Sequence, residues 1–455
     1  MTQYEIRGEP DERAVQQLRT CAESGCAPYA ALCADAHVGY SQPIGGVVAY
    51  RDYVSPSGVG YDIGCGNKAV ETSLHYADVR LDLPGIMDEI FRRVSFGVGR
   101  KNNEQTDDPV LDAIARHGDA PVADMASKAA SQLGTVGSGN HYVDLFRHAE
   151  NDRVWIGVHF GSRGFGHSVA SGFLARAQGK RFDERAKEGE MMSPPVLLRA
   201  DSELGQSYVE AMKLAGDFAH AGRNAVCDKV LEILGAASLR EVHNHHNYAW
   251  QEAHHGEKVW VHRKGATPAF PGQEGFVGAT MGEPSYVVRG VRPPMTYCYE
   301  SQEDLLFSTV HGAGRVMSRT EAAGKLQNVA ECNVRDCDQW VPWKQFRLKR
   351  EFFSNEGDRP GELGHFTMCT KHPAVGMRKT RRRVRHGKVN WPETQLTIRA
   401  EGIELRGAGA DEAPMAYKRL DEVLAFHADT IIVTDKLIPI GVAMASPDQF
   451  DPWKD

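Results

Sequence analysis

Five short segments, spread over more than half of the chain, are rich in glycine or histidine and carry side chains that bind metal ions. Any one of them alone is more often structural than functional. Together they supply one Asp, one Cys and three separate His residues, which form a natural two-metal ligand set. The fold must therefore bring distant segments into one place. The segments are GVGYDIGCGN (58–67), GTVGSGNHYVD (134–144), VHFGSRGFGH (158–167), EVHNHHNYAWQEAHH (241–255) and VHGAGRVMSRT (310–320).

The first segment places a carboxylate and a thiol on one glycine-rich turn. Four glycines surround Asp62 and Cys65, so both side chains can point at a single cation. A thiolate among oxygen ligands suits a borderline metal such as manganese or zinc better than magnesium. The structural alternative is an Asx turn or a helix cap, which is the commoner role of Asp in such a turn.

Two further segments combine a histidine with a possible anion site. Residues 134–144 lead through Asn140 and His141 into a strand-like run. The amides of this glycine-rich loop can cradle phosphate, but no Gly-Lys-Ser/Thr follows, so it is not a Walker loop. His159 ends an apolar run, and Ser162 and Arg163 lie on the turn that opens a helix. This arrangement predicts an anion site beside a metal ligand.

The segment 241–255 contains five histidines but no His-Glu-x-x-His motif, which argues against a zinc protease. If the segment is extended, alternation places His246 and Tyr248 on one face and His245 and Asn247 on the other. One of these histidines is therefore available as a further metal ligand.

The last segment offers a nucleophile. His311 precedes a Gly-Ala-Gly turn and a basic helix start. A histidine on such a turn can attack a phosphorus atom while turn amides and Arg315 stabilise the developing charge.

Composition narrows the class of protein. The chain has 455 residues, 41% apolar and 25% charged, which is typical of a globular protein, and no run approaches a membrane span. The N-terminus has neither a secretory signal nor a lipidation motif, and the nine scattered cysteines do not form a secreted disulfide framework, so we expect a cytoplasmic protein with no membrane partner. The net charge of −7 neither supports nor excludes RNA binding, since a local basic groove can exist on an acidic protein.

Helical and strand-like runs alternate throughout, which predicts a mixed α/β fold in one large layered domain. The periodicity predicts helices over 11–24, 165–178 and 201–234. It predicts strands over 44–50, 154–159, 258–262, 285–289 and 430–433.

One segment resembles an insertion. Between 325 and 392 the apolar periodicity fades and Trp, Arg, Lys, Cys and Gly increase, so we divide the chain into a core (1–324), a basic, Cys-containing insertion (325–392) and a C-terminal part of the core (393–455). Residues 371–388 hold eight Lys or Arg and no acidic residue, which indicates either a solvated loop or an RNA-backbone contact. Four residues of the insertion have the ligand count of a closed structural zinc site: Cys332, Cys337, Cys369 and His372.

The sequence resembles the RtcB-type RNA ligases. The motifs GYDIGCG, GTVGSGNH, HFGSRG, HHNYAWQE, TMGEPSYVVRG and HGAGRVMSR stand in the order and approximate spacing of that family, as do DAHVGYSQPIGGV (35–47) and DEAPMAYKRLDEV (411–423). The resemblance covers residues 35–319 and 411–442 and leaves most of the insertion uncovered. It implies the family's own α/β fold.

The resemblance also implies a cofactor set and a reaction. Two Mn²⁺ ions would be held by Asp62, Cys65, His141, His159 and His246, with Cys65 bridging them. His311 would form a covalent histidine-GMP intermediate, GMP would pass to an RNA 3′-phosphate, and a 5′-hydroxyl end would then displace it. A 2′,3′-cyclic phosphate end would first be opened. Repair or tRNA splicing would be the setting, with an archease-type activator as a possible partner.

By the same resemblance a larger set of residues would surround GTP, and two arginines, Arg163 and Arg315, would contact the substrate phosphate. The GTP set is Asn140, His141, Tyr142, Val143, Asp144, His246, Asn247, Gly278, Ala279, Thr280, Met281, Ser285, His311, Gly312, Ala313, Gly314 and Met444.

Several positions depart from the family pattern. Asp144 stands where the family has Glu, Phe160 replaces a Ser, and residues 278–281 read Gly-Ala-Thr-Met instead of Pro-Gly-Ser-Met. Met444 replaces a lysine that contacts the nucleotide, unless Lys436 supplies that contact. Three hypotheses follow: an RNA ligase with altered nucleotide choice, a metal-dependent enzyme that caps RNA 3′-phosphates or hydrolyses phosphoesters, and a non-catalytic RNA-end-binding protein. Retention of the His311 loop argues against the last.

Overall fold

Two large β-sheets with helices packed on them form the framework of the molecule, which confirms the predicted α/β class. The computed structural model describes residues 2–186, 190–292, 301–346, 369–372 and 377–447. Within these ranges none of the helices combines the length and the apolar composition that crossing a membrane requires.

Twelve α-helices, most of them short, lie wholly within the described ranges, and residues 301–304 and 343–346 are also helical. They are α1 (Glu12–Ser24), α2 (Pro56–Val59), α3 (Tyr76–Val79), α4 (Leu83–Arg93), α5 (Pro109–Ala115), α6 (Ala120–Ala123), α7 (Ala126–Gln132), α8 (Arg163–Ala177), α9 (Glu203–Leu234), α10 (Arg319–Ala323), α11 (Trp391–Ala400) and α12 (Leu420–Ala425). Two short 3₁₀ turns cover Ala410–Glu412 and Pro414–Ala416.

The strands of the described ranges number twenty. They are β1 (Gln3–Ile6), β2 (Tyr29–His37), β3 (Ile44–Tyr50), β4 (Tyr53–Val54), β5 (Gly66–His75), β6 (Tyr142–His148), β7 (Arg153–Phe160), β8 (Leu198–Arg199), β9 (Ser238–His245), β10 (Asn247–His254), β11 (Glu257–Lys264), β12 (Ala266–Pro268), β13 (Glu274–Val277), β14 (Ser285–Gly290), β15 (Ser308–Val310), β16 (Gly324–Cys332), β17 (Trp340–Pro342), β18 (Met377–His386), β19 (Glu404–Arg406) and β20 (Ile431–Met444).

The larger sheet has eight strands and carries the central part of the molecule. Its main path runs β13-β14-β20-β6-β7-β5-β9, and β19 pairs with β20 in parallel. Helix α9 begins at an N-cap, where the Ser202 hydroxyl accepts from the Gly205 amide, and ends at Gly235 in the left-handed conformation. Its apolar side packs on β7 and α8, so one face of the sheet is buried beneath it.

The second sheet has five strands in the order β1-β2-β3-β11-β10. Helix α1 covers one face through Leu18, Cys21 and Ala22. The other face contributes to a core with β13, β14, β15 and α12, so this core joins the two sheets. The strand β3 has the predicted bounds, because its run of small apolar residues is buried on both faces.

A third, smaller sheet lies within the predicted insertion. Strand β16 pairs antiparallel with β17 on one side and β18 on the other. Residues 347–368 and 373–376 of the insertion lie outside the described residues, and the division of the chain at 324 and 392 stays a prediction.

Most predicted elements differ from the structure by one or two residues at an end, and one strand differs by more. The helix predicted from Phe165 begins at Arg163, and the strand predicted over 430–433 continues to Met444. The second error arises from Thr434, Asp435, Lys436 and Pro439, which interrupt the apolar run. A β-bulge beside Pro439 allows the strand to continue, because a proline cannot donate to the ladder.

Candidate metal centre and nucleotide site

Strand register brings the predicted metal ligands to one end of the eight-stranded sheet. His159 on β7 pairs with Asn67 on β5 and with Tyr142 on β6. Cys65 immediately precedes β5, and His141 immediately precedes β6. The ends of three adjacent strands therefore carry three of the candidate ligands.

The third histidine, His246, reaches the site where the chain passes from one sheet to the other. Strand β9 pairs with β5 up to His245, and β10 pairs with β11 from Asn247, so the chain changes sheets at His246. The prediction of one extended segment with His246 and Tyr248 on a common face is therefore wrong. The ring of His245 stacks on Tyr248 with centroids 5.5 Å apart, while His246 turns towards His159.

The ligand atoms form two groups that share one sulfur. Cys65 Sγ lies 3.3 Å from His159 Nε2, which lies 3.3 Å from His246 Nε2. The same sulfur lies 3.7 Å from His141 Nε2, which lies 3.0 Å from Asp62 Oδ2. In each group of three the ligand atoms lie within 4.8 Å of one another. The geometry therefore fits two neighbouring cations with Cys65 between them.

Burial shifts the pKa values of the candidate ligands in different directions. It lowers the pKa of His159 and of His246 well below the usual value, so both imidazoles are neutral. Burial and the neighbouring Asp62 charge raise the pKa of the Cys65 thiol. Burial alone would raise the pKa of Asp62, but His141 and then Arg163 outweigh it and lower that pKa. A cation at Cys65 must therefore displace a proton, which makes binding pH-dependent.

A buried arginine that the sequence analysis did not identify holds the backbone on both sides of the candidate metal centre. Arg223 on α9 donates to the carbonyl oxygens of Gly64 (2.9 Å) and Phe160 (2.6 Å), which flank Cys65 and His159. It also donates to His243 Nε2 at 2.8 Å. Burial lowers the pKa of Arg223 to about 10. In the sequence, the one signal that this arginine faces inward is the helical spacing of the apolar residues around it in α9.

The candidate nucleophile lies beside the metal ligands. The ring of His311 contacts that of His246, with centroids 4.9 Å apart. His311 Nδ1 lies 2.6 Å from Asp35 Oδ2, and the same oxygen accepts from the backbone amide of His311 at 3.0 Å. Since a carboxylate accepts from an N–H, this contact assigns an N–H to Nδ1 and leaves Nε2 as the ring nitrogen outside it. Asp35 belongs to a motif noted in the sequence, but its role required the structure.

The residues predicted to surround GTP converge next to this pair. Gly278 forms a β-bridge with Gly312, and Ser285 Oγ accepts from the Ala279 amide at 3.0 Å. Asn247 Oδ1 accepts from the Gly265 amide at 2.7 Å. The side chain of Val143 is the exception, because it packs on the opposite face of β6, in the core under α4 and α9.

Several buried polar atoms near these segments have no hydrogen-bond partner among the described residues, among them Tyr142 Oη, Asp144 Oδ1 and Thr280 Oγ1. Burial raises the pKa of Asp144 well above its usual value. Buried polar groups without partners are costly, so their presence together fits a site completed by a polar ligand. Met444 lies opposite Tyr142 in the register and packs with it in one apolar cluster.

The two predicted phosphate ligands differ in their surroundings. An Arg163 Nη1 atom lies 3.3 Å from His141 Nδ1, directly at the metal centre. Arg315 donates to Tyr417 Oη at 2.7 Å and to Glu412 at 3.1 Å, and it ties the His311 turn to the segment 411–417. A phosphate contact for either residue stays a prediction.

Arg319, which the sequence analysis did not single out, lies against the glycine-rich loop 134–144. Gly139 has a φ of +69°, and a Cβ there would meet Arg319 Nη2 at 2.8 Å. Arg319 Nε donates to Glu412 at 2.9 Å. Only glycine permits this close approach.

The chain is similar to known proteins over most of its length. Residues 16–339 match the family model described as tRNA-splicing ligase RtcB. The chain belongs to the RtcB family. The RNA-splicing ligase RtcB of Escherichia coli strain K12 is 30% identical over 343 residues, covering 70% of this chain and 81% of the relative. The tRNA-splicing ligase RtcB of Thermococcus kodakarensis is 31% identical over 385 residues, covering 68% and 78%.

The RtcB match includes both metal-ligand groups and His311, and it ends within the insertion. Cys369, His372 and Met444 lie beyond it. The candidate metal centre is thus in the part of the chain that RtcB proteins share, and the second half of the insertion's Cys and His cluster is not.

Proposed function

We propose that this RtcB protein is an RNA ligase that joins a 3′-phosphate or 2′,3′-cyclic phosphate end to a 5′-hydroxyl end through a histidine-GMP intermediate. The observation that carries the proposal is the position of His311. Its Nδ1 is 2.6 Å from Asp35 and its ring is next to His246, so a nucleophilic nitrogen lies at the edge of a metal centre. The names of the RNA-splicing and tRNA-splicing relatives support the same activity.

Two Mn²⁺ ions fit the donor set of one carboxylate, one thiolate and three imidazoles, since borderline cations accept nitrogen, oxygen and sulfur together. Asp62, Cys65 and His141 would hold one ion, and Cys65, His159 and His246 the other. When bound, the ions neutralise phosphate oxygens and polarise the reacting phosphorus. The backbone carbonyl of Asn140 lies 3.1 Å from His159 Nδ1 and so directs Nε2 towards the centre.

In the first step His311 Nε2 attacks the α-phosphorus of GTP. A P–N bond forms, the bond to the β-phosphate oxygen breaks, and pyrophosphate leaves in line. Asp35 accepts the hydrogen bond from Nδ1–H, which orients the ring and leaves Nε2 as the attacking nitrogen. Arg163, whose Nη1 lies beside His141, would stabilise the charge that develops on the phosphate.

In the later steps the GMP group moves to RNA. An oxygen of the RNA 3′-phosphate attacks the same phosphorus and releases His311, and the RNA 5′-hydroxyl then attacks the 3′-phosphate and expels GMP. A cyclic phosphate end is hydrolysed to the 3′-phosphate before transfer. The partnerless Tyr142, Asp144 and Thr280 atoms supply polar contacts for the nucleotide.

In the test, the full chain is incubated with labelled GTP and Mn²⁺. One portion is analysed by denaturing electrophoresis, and RNA with defined ends is added to another. We expect a covalent label on the protein, its transfer to a 3′-phosphate RNA, and a joined product with 5′-hydroxyl RNA. His311→Ala should abolish the label without changing metal content. Wild-type labelling of that variant would remove His311 from the mechanism, and a capped RNA that is never joined would favour a capping enzyme.

A further inference from the structure

A second cluster of metal-binding side chains lies in the insertion, away from the catalytic centre. Cys332 is the last residue of β16, and Cys337 lies on the turn that follows it. Cys369 and His372 lie on a segment ahead of β18, which pairs with the other side of β16. Two parts of the chain separated by more than thirty residues therefore contribute two ligands each.

The distances within this cluster match tetrahedral zinc. The Sγ atoms of Cys337 and Cys369 are 3.7 Å apart, and His372 Nδ1 lies 3.6 Å from Cys369 Sγ and 3.6 Å from Cys332 Sγ. A tetrahedral ion with ordinary zinc bond lengths separates two sulfurs by about 3.8 Å and a sulfur from a nitrogen by about 3.6 Å. All four ligand atoms lie within 4.8 Å of one another.

The main structural alternative is a disulfide bond or a set of unrelated buried thiols. A disulfide requires sulfurs about 2.05 Å apart, much closer than those of Cys337 and Cys369. The amide of Val334 donates to Cys332 Sγ at 3.5 Å, and an amide pointing at sulfur stabilises a thiolate. The imidazole nitrogen between two sulfurs has no role in a disulfide.

We propose that Cys332, Cys337, Cys369 and His372 bind one structural Zn²⁺ ion that fastens the end of β16 to the segment entering β18. Four protein ligands close the coordination sphere, so the ion has no position for substrate. The small sheet has few buried apolar side chains in its described part, among them Val329 and Ala330. A metal ion supplies the stability that so small a core lacks.

The test measures metal in the full-length protein, purified without strong chelator and washed to remove loosely held manganese. We expect about one zinc per chain in the wild type and none in Cys369→Ser. Replacement with Co²⁺ should give the visible absorption of a tetrahedral thiolate site. His372→Cys, which restores a four-ligand set, should keep the zinc that His372→Ala loses.

Two matched controls locate the ion. Cys26→Ser changes an exposed cysteine outside both clusters and should retain zinc, as should Cys65→Ser at the catalytic centre. The proposal is overturned by a wild type that contains no zinc, by zinc that persists in both Cys337→Ser and Cys369→Ser, or by zinc that disappears with Cys65. It does not depend on ligase activity, so the two proposals can fail separately.

Discussion

The candidate metal centre and the predicted insertion each gather cysteine and histidine, but in different proportions. The centre has one sulfur shared by two groups of three ligands, and the insertion has three sulfurs and one nitrogen around one point. Groups of three leave coordination positions open for a substrate, whereas four protein ligands close the site. If both proposals hold, similar residue types serve chemistry in one region and stability in the other, and the number of donors distinguishes the two sites.

The largest effect should come from removing the shared sulfur. Cys65→Ser is expected to lower His311 guanylylation by more than the roughly 10- to 100-fold that metal-supporting residues cost, and by more than any single histidine-ligand change, because both groups lose a donor. Metal analysis and labelling rates measure it. Cys227→Ser, at another buried cysteine, controls for removal of a core thiol. An active Cys65→Ser enzyme with two bound metals would contradict the bridge.

A smaller effect should follow from changing the residue that orients the nucleophile. Asp35→Asn keeps an oxygen that accepts the His311 and Gly312 amides but loses the carboxylate charge at Nδ1. We expect guanylylation to fall roughly 10- to 100-fold in kcat, with little change in KM for GTP or in metal content. A rise in KM at constant kcat would instead assign Asp35 to nucleotide binding.

The preference for GTP over ATP should be weaker by about one to two decades than in a lysine-bearing relative. Loss of a charged hydrogen bond costs about 1.5–3 kcal/mol of binding, so a chain with Met444 in place of lysine should prefer GTP over ATP less than a lysine-bearing relative does. Met444 and Asp144 lie on one face of paired strands, where long side chains reach diagonal neighbours.

The variant Met444→Lys should therefore strengthen GTP use, measured as the rate of His311 labelling with GTP and with ATP. Met444→Leu, which keeps the apolar cluster, is the matched control. If the wild type already discriminates by several decades and the lysine changes nothing, another group reads the base, and Lys436 is the next residue to change.

The smallest effect should come from the basic strand of the insertion. Strand β18, which pairs with β16 from Cys332 back to Gly324, exposes Arg378, Lys379 and Arg385. Changing all three to glutamine should weaken RNA binding and lower the slope of its salt dependence by about one unit for each RNA phosphate that the protein no longer neutralises, without altering GTP labelling. Arg116→Gln, at an exposed arginine that follows α5, is the control. An equal fall in GTP labelling would place this strand in the catalytic region and break the comparison.

The accuracy of the sequence-based predictions follows the strength of local patterns. The range of helix α9 was predicted to within two residues at its start, because its apolar positions recur at helical spacing over many turns. The orientation of His246 was predicted wrongly, since alternation assumes one continuous strand and the chain here passes between two sheets. The roles of Asp35 and Arg223 had no local signal.

The sequence alone determined the α/β class, the family and the side chains available for chemistry, because glycine-rich turns, apolar periodicity and clustered ligands are properties of neighbouring residues. Tertiary structure alone decided which of these side chains meet. Cys65, His159 and His246 come together through strand register and a crossing between sheets, and His311 meets Asp35 across 276 residues of sequence. Such contacts depend on the packing of whole sheets, which a short stretch of sequence does not encode.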